Sequence, residues 1–156
     1  MLILILLIIC FLIIAIQDIL NREIFWPLLP VVFLISLLYR HNANITSIEI
    51  VLNITFLIII LGTTFLVFLV QKQVRLKTFL NEFLGLGDIL LFFALTPLFG
   101  LTSFIHFLIA SLLAIVLGYA VLSFIRKKQG TIPLAGLLSI FTIFYLTSEY
   151  LNYPAL

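Results

Sequence analysis

Long runs of apolar residues, separated by short polar breaks, dominate the pattern of this chain. Six runs stand out, approximately Leu2–Gln17, Ile24–Tyr39, Ile48–Val70, Phe83–Phe99, Thr102–Ile125 and Ile132–Tyr150. A helix that crosses a bilayer needs about 20 such residues, with a range of about 17–25. The pattern therefore predicts an all-α, polytopic integral membrane protein with about six transmembrane helices, of which the first, second and fourth are short.

The composition excludes a soluble fold, and the continuous apolar runs argue against a β-barrel. Of the 156 residues, 65% are hydrophobic and 9% are charged, whereas soluble domains have about 45–50% apolar and about 25% charged residues. A barrel strand alternates apolar and polar residues over about ten positions, but the runs here are continuous. No linker rich in proline or serine divides the chain, so we expect a single domain, residues 1–156, that is surrounded by membrane lipid.

Basic residues between the runs predict the orientation in the membrane. If the N-terminus faces outward, all Lys and Arg residues except Arg40 fall inside, namely Arg22, Lys72, Arg75, Lys77, Arg126, Lys127 and Lys128. The positive-inside rule then predicts a multi-pass protein of the cytoplasmic (inner) membrane with both termini outside. The first run lacks a basic start and an Ala-x-Ala-like cleavage site, so we expect a retained helix. The basic clusters are short, and nucleic acid is not an expected partner.

Two of the six carboxylates stand in apolar surroundings. Asp18 follows Ile-Ala-Ile-Gln at the end of the first run, and Asp88 lies inside the fourth run. An ionisable group within a membrane costs free energy and usually faces a partner or a wet cavity. Both aspartates belong to the cytoplasmic third of the predicted topology, so they can meet at one depth. The four glutamates are explained as solvated or interfacial charges.

Two glycines precede Asp88. Gly85 and Gly87 allow a positive φ and a close backbone approach, which favours an opening that a substrate or a second helix can enter. Asp88 is expected near a helix N-terminus, where the dipole favours the carboxylate, and Asp18 near a helix C-terminus, where it favours the neutral acid. Such a pair suits acid–base chemistry, in which one carboxylate activates water and the other acts as the acid. A purely structural role as helix cap or interfacial anchor stays open.

The segment Gly85-Leu86-Gly87-Asp88 resembles the G-x-G-D motif of membrane aspartyl proteases. Its combination with Asp18–Ile24 and with the late Ile132–Gly136 segment resembles the type IV prepilin peptidase family. The resemblance implies an aspartic-type endopeptidase in which Asp18 and Asp88 are catalytic and Gly85 and Gly87 shape the site. The implied partner is a pilin-like precursor, whose basic leader is cleaved from an apolar helix at the cytoplasmic face.

The chain departs from that family at three positions. Phe25 and Trp26 stand where the family has Pro-Asn, and Leu90 stands where it has lysine. Altered substrates or lost activity therefore stay open. The paired C-x-x-C motifs of the larger members are absent, so the chain is similar to the short form without a methyltransferase domain. One cysteine and two distant histidines make no metal-ligand pattern, and neither a metal nor another cofactor is expected.

Two alternatives remain. In a non-enzymatic protein, such as a proton-coupled carrier or an assembly subunit, Asp18 and Asp88 would relay protons or anchor helix packing. Presenilin and signal-peptide-peptidase proteins also use G-x-G-D together with a Pro-Ala-Leu motif, and this chain ends in Pro154-Ala155-Leu156. Their Tyr-Asp pair is absent, because Gln17 precedes Asp18. The oligomeric state is left open.

Overall fold

Each of the six apolar runs forms a helix. The computed structural model describes residues 1–42, 46–72, 85–126 and 133–152, and no strand occurs within these ranges. The α-helices are α1 (Leu2–Asn21), α2 (Leu28–Asn42), α3 (Ser47–Lys72), α4 (Leu86–Leu95), α5 (Leu101–Arg126) and α6 (Leu134–Asn152), and one turn of 3₁₀-helix, Thr96–Leu98, extends α4. The predicted all-α class is confirmed. The Pro154-Ala155-Leu156 segment lies outside the described residues.

Among the described residues, four helices are long and apolar enough to cross a membrane, over Leu2–Asn21, Ser47–Val70, Leu101–Ala120 and Leu134–Leu151. The segments Leu28–Arg40 and Leu86–Leu98 are apolar but shorter. At about 1.5 Å per residue, Leu86–Leu98 spans roughly 20 Å, which is less than the roughly 30 Å of a hydrocarbon core. The second and fourth runs are therefore short, as predicted, but the prediction of a short first helix is wrong, because α1 has 20 residues.

The turn after α1 sets the limits of the first two helices. Arg22 adopts a left-handed conformation, with φ 59° and ψ 24°, and its N–H donates to the carbonyl oxygen of Asp18. A left-handed residue closes a helix, so α1 continues past its apolar run to Asn21. After a short stretch without regular secondary structure, the N–H of Leu28 donates to the carbonyl oxygen of Phe25, and α2 begins there. Asp18 consequently lies in the last turn of α1.

Each helix has two apolar faces: one packs against neighbouring helices, and the other faces lipid. α1 packs against α6 and α2, and α4 packs against α2. On α1, Leu7, Phe11 and Ile14 are fully buried, whereas Ile9 and Leu12 are about half exposed. A helix that is apolar all round suits a membrane, where lipid covers the outer face. The bundle brings the last turn of α1 and the first turns of α4 and α6 to one end, here called the aspartate end.

At the opposite end, a buried amide joins α3 to the end of α4. The Nδ2 group of Asn53 donates to the carbonyl oxygens of Thr96 (3.0 Å) and Phe99 (2.9 Å), and the Asn53 side chain is fully buried. These carbonyls belong to the 3₁₀ turn and to the break before α5, where helical hydrogen bonding stops. In lipid an unpaired carbonyl costs several kcal/mol, so Asn53 allows the chain to reverse direction there.

We expect Asn53→Leu to lower the free energy of unfolding in detergent micelles by about 1–2 kcal/mol, because it removes the hydrogen bonds from Asn53 to the carbonyl oxygens of Thr96 and Phe99. Thr55→Val is the matched control, since the Thr55 hydroxyl donates only to Val51 of its own helix, at 2.7 Å. Reversible unfolding of the two variants measures the difference. Equal losses would contradict a bridging role for Asn53.

Candidate active site

The two aspartates singled out in the sequence lie at the same end of the bundle on different helices. Asp18 is in the last turn of α1, and its side chain is 8% exposed. Asp88 is the third residue of α4 and is half-buried. The helices that carry them place both side chains against the start of α6, which is a third helix far along the chain.

Adjacent backbone amides of α6 bind the two carboxylates. The N–H of Ala135 donates to Asp88 Oδ1 at 3.0 Å, and the N–H of Gly136 donates to Asp18 Oδ2 at 2.6 Å. The first four N–H groups of a helix have no partner within that helix, and α6 starts at Leu134. Two residues that are 70 positions apart in the sequence thus bind neighbouring peptide groups.

This contact changes the expected helix electrostatics of the pair. Asp88 lies at the N-terminus of its own helix, as predicted, and Asp18 lies near the C-terminus of α1. The positive end of α6, however, also faces both carboxylates through Ala135 and Gly136. A helix dipole acts over its first turn. The start of α6 therefore reduces the contrast between the two aspartates that their own helices would produce.

Gly85 and Gly87 allow close packing of neighbouring groups and do not adopt a left-handed backbone conformation. No described glycine has a positive φ, so Gly85 and Gly87 do not use the backbone freedom that glycine allows. The close approach is observed instead: a Cβ at Gly87 would lie 2.9 Å from Ile24 Cδ1, and a Cβ at Gly85 would lie 3.3 Å from Asp88 Oδ2. Glycine thereby lets the loop after α1 and the Asp88 carboxylate approach the start of α4.

Gly136 is a site residue that the sequence reasoning missed. A Cβ at this position would lie 3.0 Å from Ile19 Cγ1, 3.1 Å from Asp18 Oδ2 and 3.2 Å from the carbonyl oxygen of Ala15. The absent side chain thus lets α6 approach α1 until its amide reaches the Asp18 carboxylate. The Ile132–Gly136 segment was a sequence signal for this region, but a backbone N–H donor carries no residue signature.

A cavity of about 590 Å³ opens beside the pair. Asp18 and Asp88 line it together with Arg22, Trp26 and Leu90. The Trp26 ring is 69% exposed, so one wall is aromatic and accessible. Two carboxylates in one cavity, with a cation on its lining, are the components of acid–base chemistry on a bound peptide. Within the described ranges, no three His, Cys, Asp or Glu side chains are grouped to hold a metal.

Comparison with known proteins identifies the family. The model of the type IV leader peptidase family matches residues 5–121, a range that contains Asp18, Gly85, Gly87 and Asp88 and ends before α6. Comparisons with curated proteins and with solved structures gave no match. Since the matched range covers most of the helical bundle, this chain belongs to the type IV leader peptidase family and is a leader peptidase-type protease.

Proposed function

We propose that this chain is a membrane aspartyl endopeptidase that cleaves the leader peptides of pilin-like precursors, with Asp18 and Asp88 as its catalytic pair. The observation that carries this proposal is the binding of the two carboxylates to the adjacent N–H groups of Ala135 and Gly136, beside one cavity. Membership of the leader peptidase family supports the protease class.

The proposed reaction uses the pair as acid and base. One carboxylate takes a proton from a water molecule as the water oxygen attacks the carbonyl carbon of the scissile peptide bond. The other carboxyl group, which is protonated at the outset, donates its proton to the carbonyl oxygen. The tetrahedral intermediate then collapses and the C–N bond breaks: one hydroxyl returns its proton to the ionised carboxylate as the carbonyl re-forms, and the carboxyl group that took the proton from water passes it to the leaving nitrogen. The α6 amides fix the carboxylates in position for these transfers.

Two of the three departures from the family pattern, Trp26 and Leu90, line this cavity. Leu90, which stands where the family has lysine, lines the cavity, and so does Arg22. Arg22 therefore supplies a positive charge on the lining from the turn after α1. Trp26 lines the same cavity. The N–H of Phe25 donates to Gln17 Oε1 at 3.2 Å, which ties the loop to α1 without the Pro-Asn pair.

The aspartate end faces the cytoplasm in this proposal. Arg22 follows α1 at that end, and α3 and α5 run toward it and finish at Lys72 and Arg126. Each of these two helices is followed in the sequence by further basic residues, which lie outside the described ranges. Arg40 is near the opposite end of α2. This distribution agrees with the positive-inside rule, and cleavage would occur on the side where a precursor leader begins.

A purely structural role for the aspartates is the rival function, and the amide contacts give it a specific basis. The two carboxylates cap the unpaired N–H groups of α6, so either side chain could be needed only for helix packing. The rival predicts that neutral side chains with an acceptor oxygen preserve whatever the protein does. Proteolysis instead requires a titratable carboxyl group at both positions.

We expect Asp18→Asn and Asp88→Asn each to lower precursor cleavage by roughly 10²–10⁴-fold, the usual contribution of a general acid or base. Asparagine keeps an oxygen that accepts the α6 N–H, so both variants should stay folded. Cleavage assays and melting curves of the purified proteins in detergent test both statements. Glu149→Gln is the control, because Glu149 lies near the end of α6 that is remote from the pair. Unchanged cleavage in either aspartate variant would contradict the proposal.

We expect Gly136→Ala to reduce cleavage by roughly 10- to 100-fold, because the new methyl group would push against the Asp18 carboxylate and the Ala15 carbonyl oxygen, and small displacements of catalytic groups are costly. Gly118→Ala is the matched control, since a Cβ there meets nothing within 4 Å. Steady-state kinetics of both variants measure the effect. If both variants cleave at the wild-type rate, the fit of α6 against Asp18 is not needed for activity.

For the orientation, we expect Glu23→Cys at the aspartate end to be shielded in intact cells and Ser47→Cys at the opposite end to react with a membrane-impermeant thiol reagent. Both positions are exposed, and the native Cys10 is buried. Permeabilised cells should label both variants, which controls for reactivity. The opposite labelling pattern would reverse the proposed topology.

A further inference from the structure

A second cavity, of about 420 Å³, lies between α2, α3 and α4. Its lining includes Phe33 and Leu34 of α2, Ile54 of α3, and Leu90 and Phe93 of α4, and every lining side chain is apolar. Leu34 is 59% exposed and Leu90 is 40% exposed, so the cavity opens on the outer surface of the bundle. It is here called the apolar groove.

The apolar groove lies next to the cavity that holds the aspartates. Leu90 lines both of them and stands two residues after Asp88 on α4. Phe93 is five residues after Asp88, which is roughly 7–8 Å along the helix axis at 1.5 Å per residue. The groove therefore neighbours the aspartate cavity and extends from Leu90 to Phe93 along α4, away from Asp88.

A polypeptide cut at the aspartates must leave their cavity in two directions. The aspartate cavity carries the charged groups Asp18, Asp88 and Arg22, whereas the groove carries none. A chain that follows the groove in lipid must satisfy its own backbone hydrogen bonds, which a helix does. Its contacts with the groove must be apolar, and helical anchors recur at every third or fourth residue.

We propose that the apolar groove binds the hydrophobic helix of the substrate that follows the scissile bond, and that this helix enters sideways from the lipid. The proposal rests on the proposed function, because it assigns the groove to the substrate of the same site. Leu90 is then a specificity residue. A leucine at this position continues the apolar surface up to the aspartate cavity, which a lysine would interrupt.

The groove also limits the substrate. Since Phe93 lies only roughly 7–8 Å along α4 from Asp88, the first large apolar side chain of the substrate must come within about three extended or five helical residues of the cut. A polar residue at that anchor would leave an unpaired group against Phe33 and Ile54. Cleavage should therefore depend on an apolar anchor close to the scissile bond.

A pair of bulky substitutions on α2 tests the groove. Leu34 lines it, whereas Val31 is also exposed, at 45%, but is not part of its lining. We expect Leu34→Trp to lower kcat/KM about 10-fold for an intact pilin-like precursor with its hydrophobic helix. Cleavage of a short peptide that ends a few residues beyond the same bond should not change. Val31→Trp should alter neither reaction. Equal effects of Leu34→Trp on both substrates, or none on the precursor, would overturn the proposal.

Cross-linking decides the question without any cleavage. In an Asp88→Asn, Cys10→Ala background, Leu34→Cys should form a disulfide with a cysteine in the precursor helix, and Val31→Cys should not. Cross-links that are absent, or equal at the two positions, contradict the groove even if the wild-type chain cleaves the precursor. Capture of a photoreactive phospholipid acyl chain at Leu34→Cys, unaffected by added precursor, would assign the groove to lipid and reject the proposal. Failure of the wild-type chain to cleave either substrate counts against the proposed function alone.

Discussion

The start of α6 imposes the constraint on which the aspartate end depends. A helix leaves its first N–H groups unpaired, and within a membrane such groups need a partner in the protein. Here the carboxylates of Asp18 and Asp88 accept from Gly136 and Ala135. Because these carboxylates come from α1 and α4, satisfying one helix end fixes the relative position of three helices. The polar groups that close the fold are therefore the same groups that line the cavity.

Helix ends at both ends of the bundle obey this rule, with different side chains as partners. At the aspartate end the unpaired groups are donors, and carboxylates accept from them. At the other end the backbone groups are carbonyls, those of Thr96 and Phe99, and the neutral amide of Asn53 donates to both. An amide cannot exchange a proton at neutral pH, whereas a carboxyl group can. The amide of Asn53 can therefore only satisfy backbone groups, whereas the carboxyl groups of Asp18 and Asp88 satisfy backbone groups and can also transfer protons.

The sequence predicted most of the helices because a long apolar run has few other stable structures in lipid. It placed helix limits less well, since those depend on local backbone hydrogen bonds such as that of Arg22, which extends α1 to Asn21. Asp18 and Asp88 could be singled out because a carboxylate in an apolar run is costly. Gly136 could not, since its contribution is a backbone amide and the space left by a missing side chain.

Binding the α6 amides leaves most of the hydrogen-bonding capacity of the two carboxyl groups available for catalysis. An ionised carboxylate offers roughly four lone-pair positions, and a bond to one α6 amide occupies a single one of them. The ionised member of the pair therefore keeps lone pairs for a water molecule, and the protonated member can donate its O–H to a peptide carbonyl, while both hold α6 in place. That bond also restricts rotation of the carboxylate, which lowers the entropic cost of aligning it with a bound peptide. The unpaired N–H groups at the start of α6, which need partners in lipid, thus hold the two carboxyl groups beside one another. The apolar groove, whose lining includes Leu90 and Phe93, lies about one helical turn along α4 from Asp88.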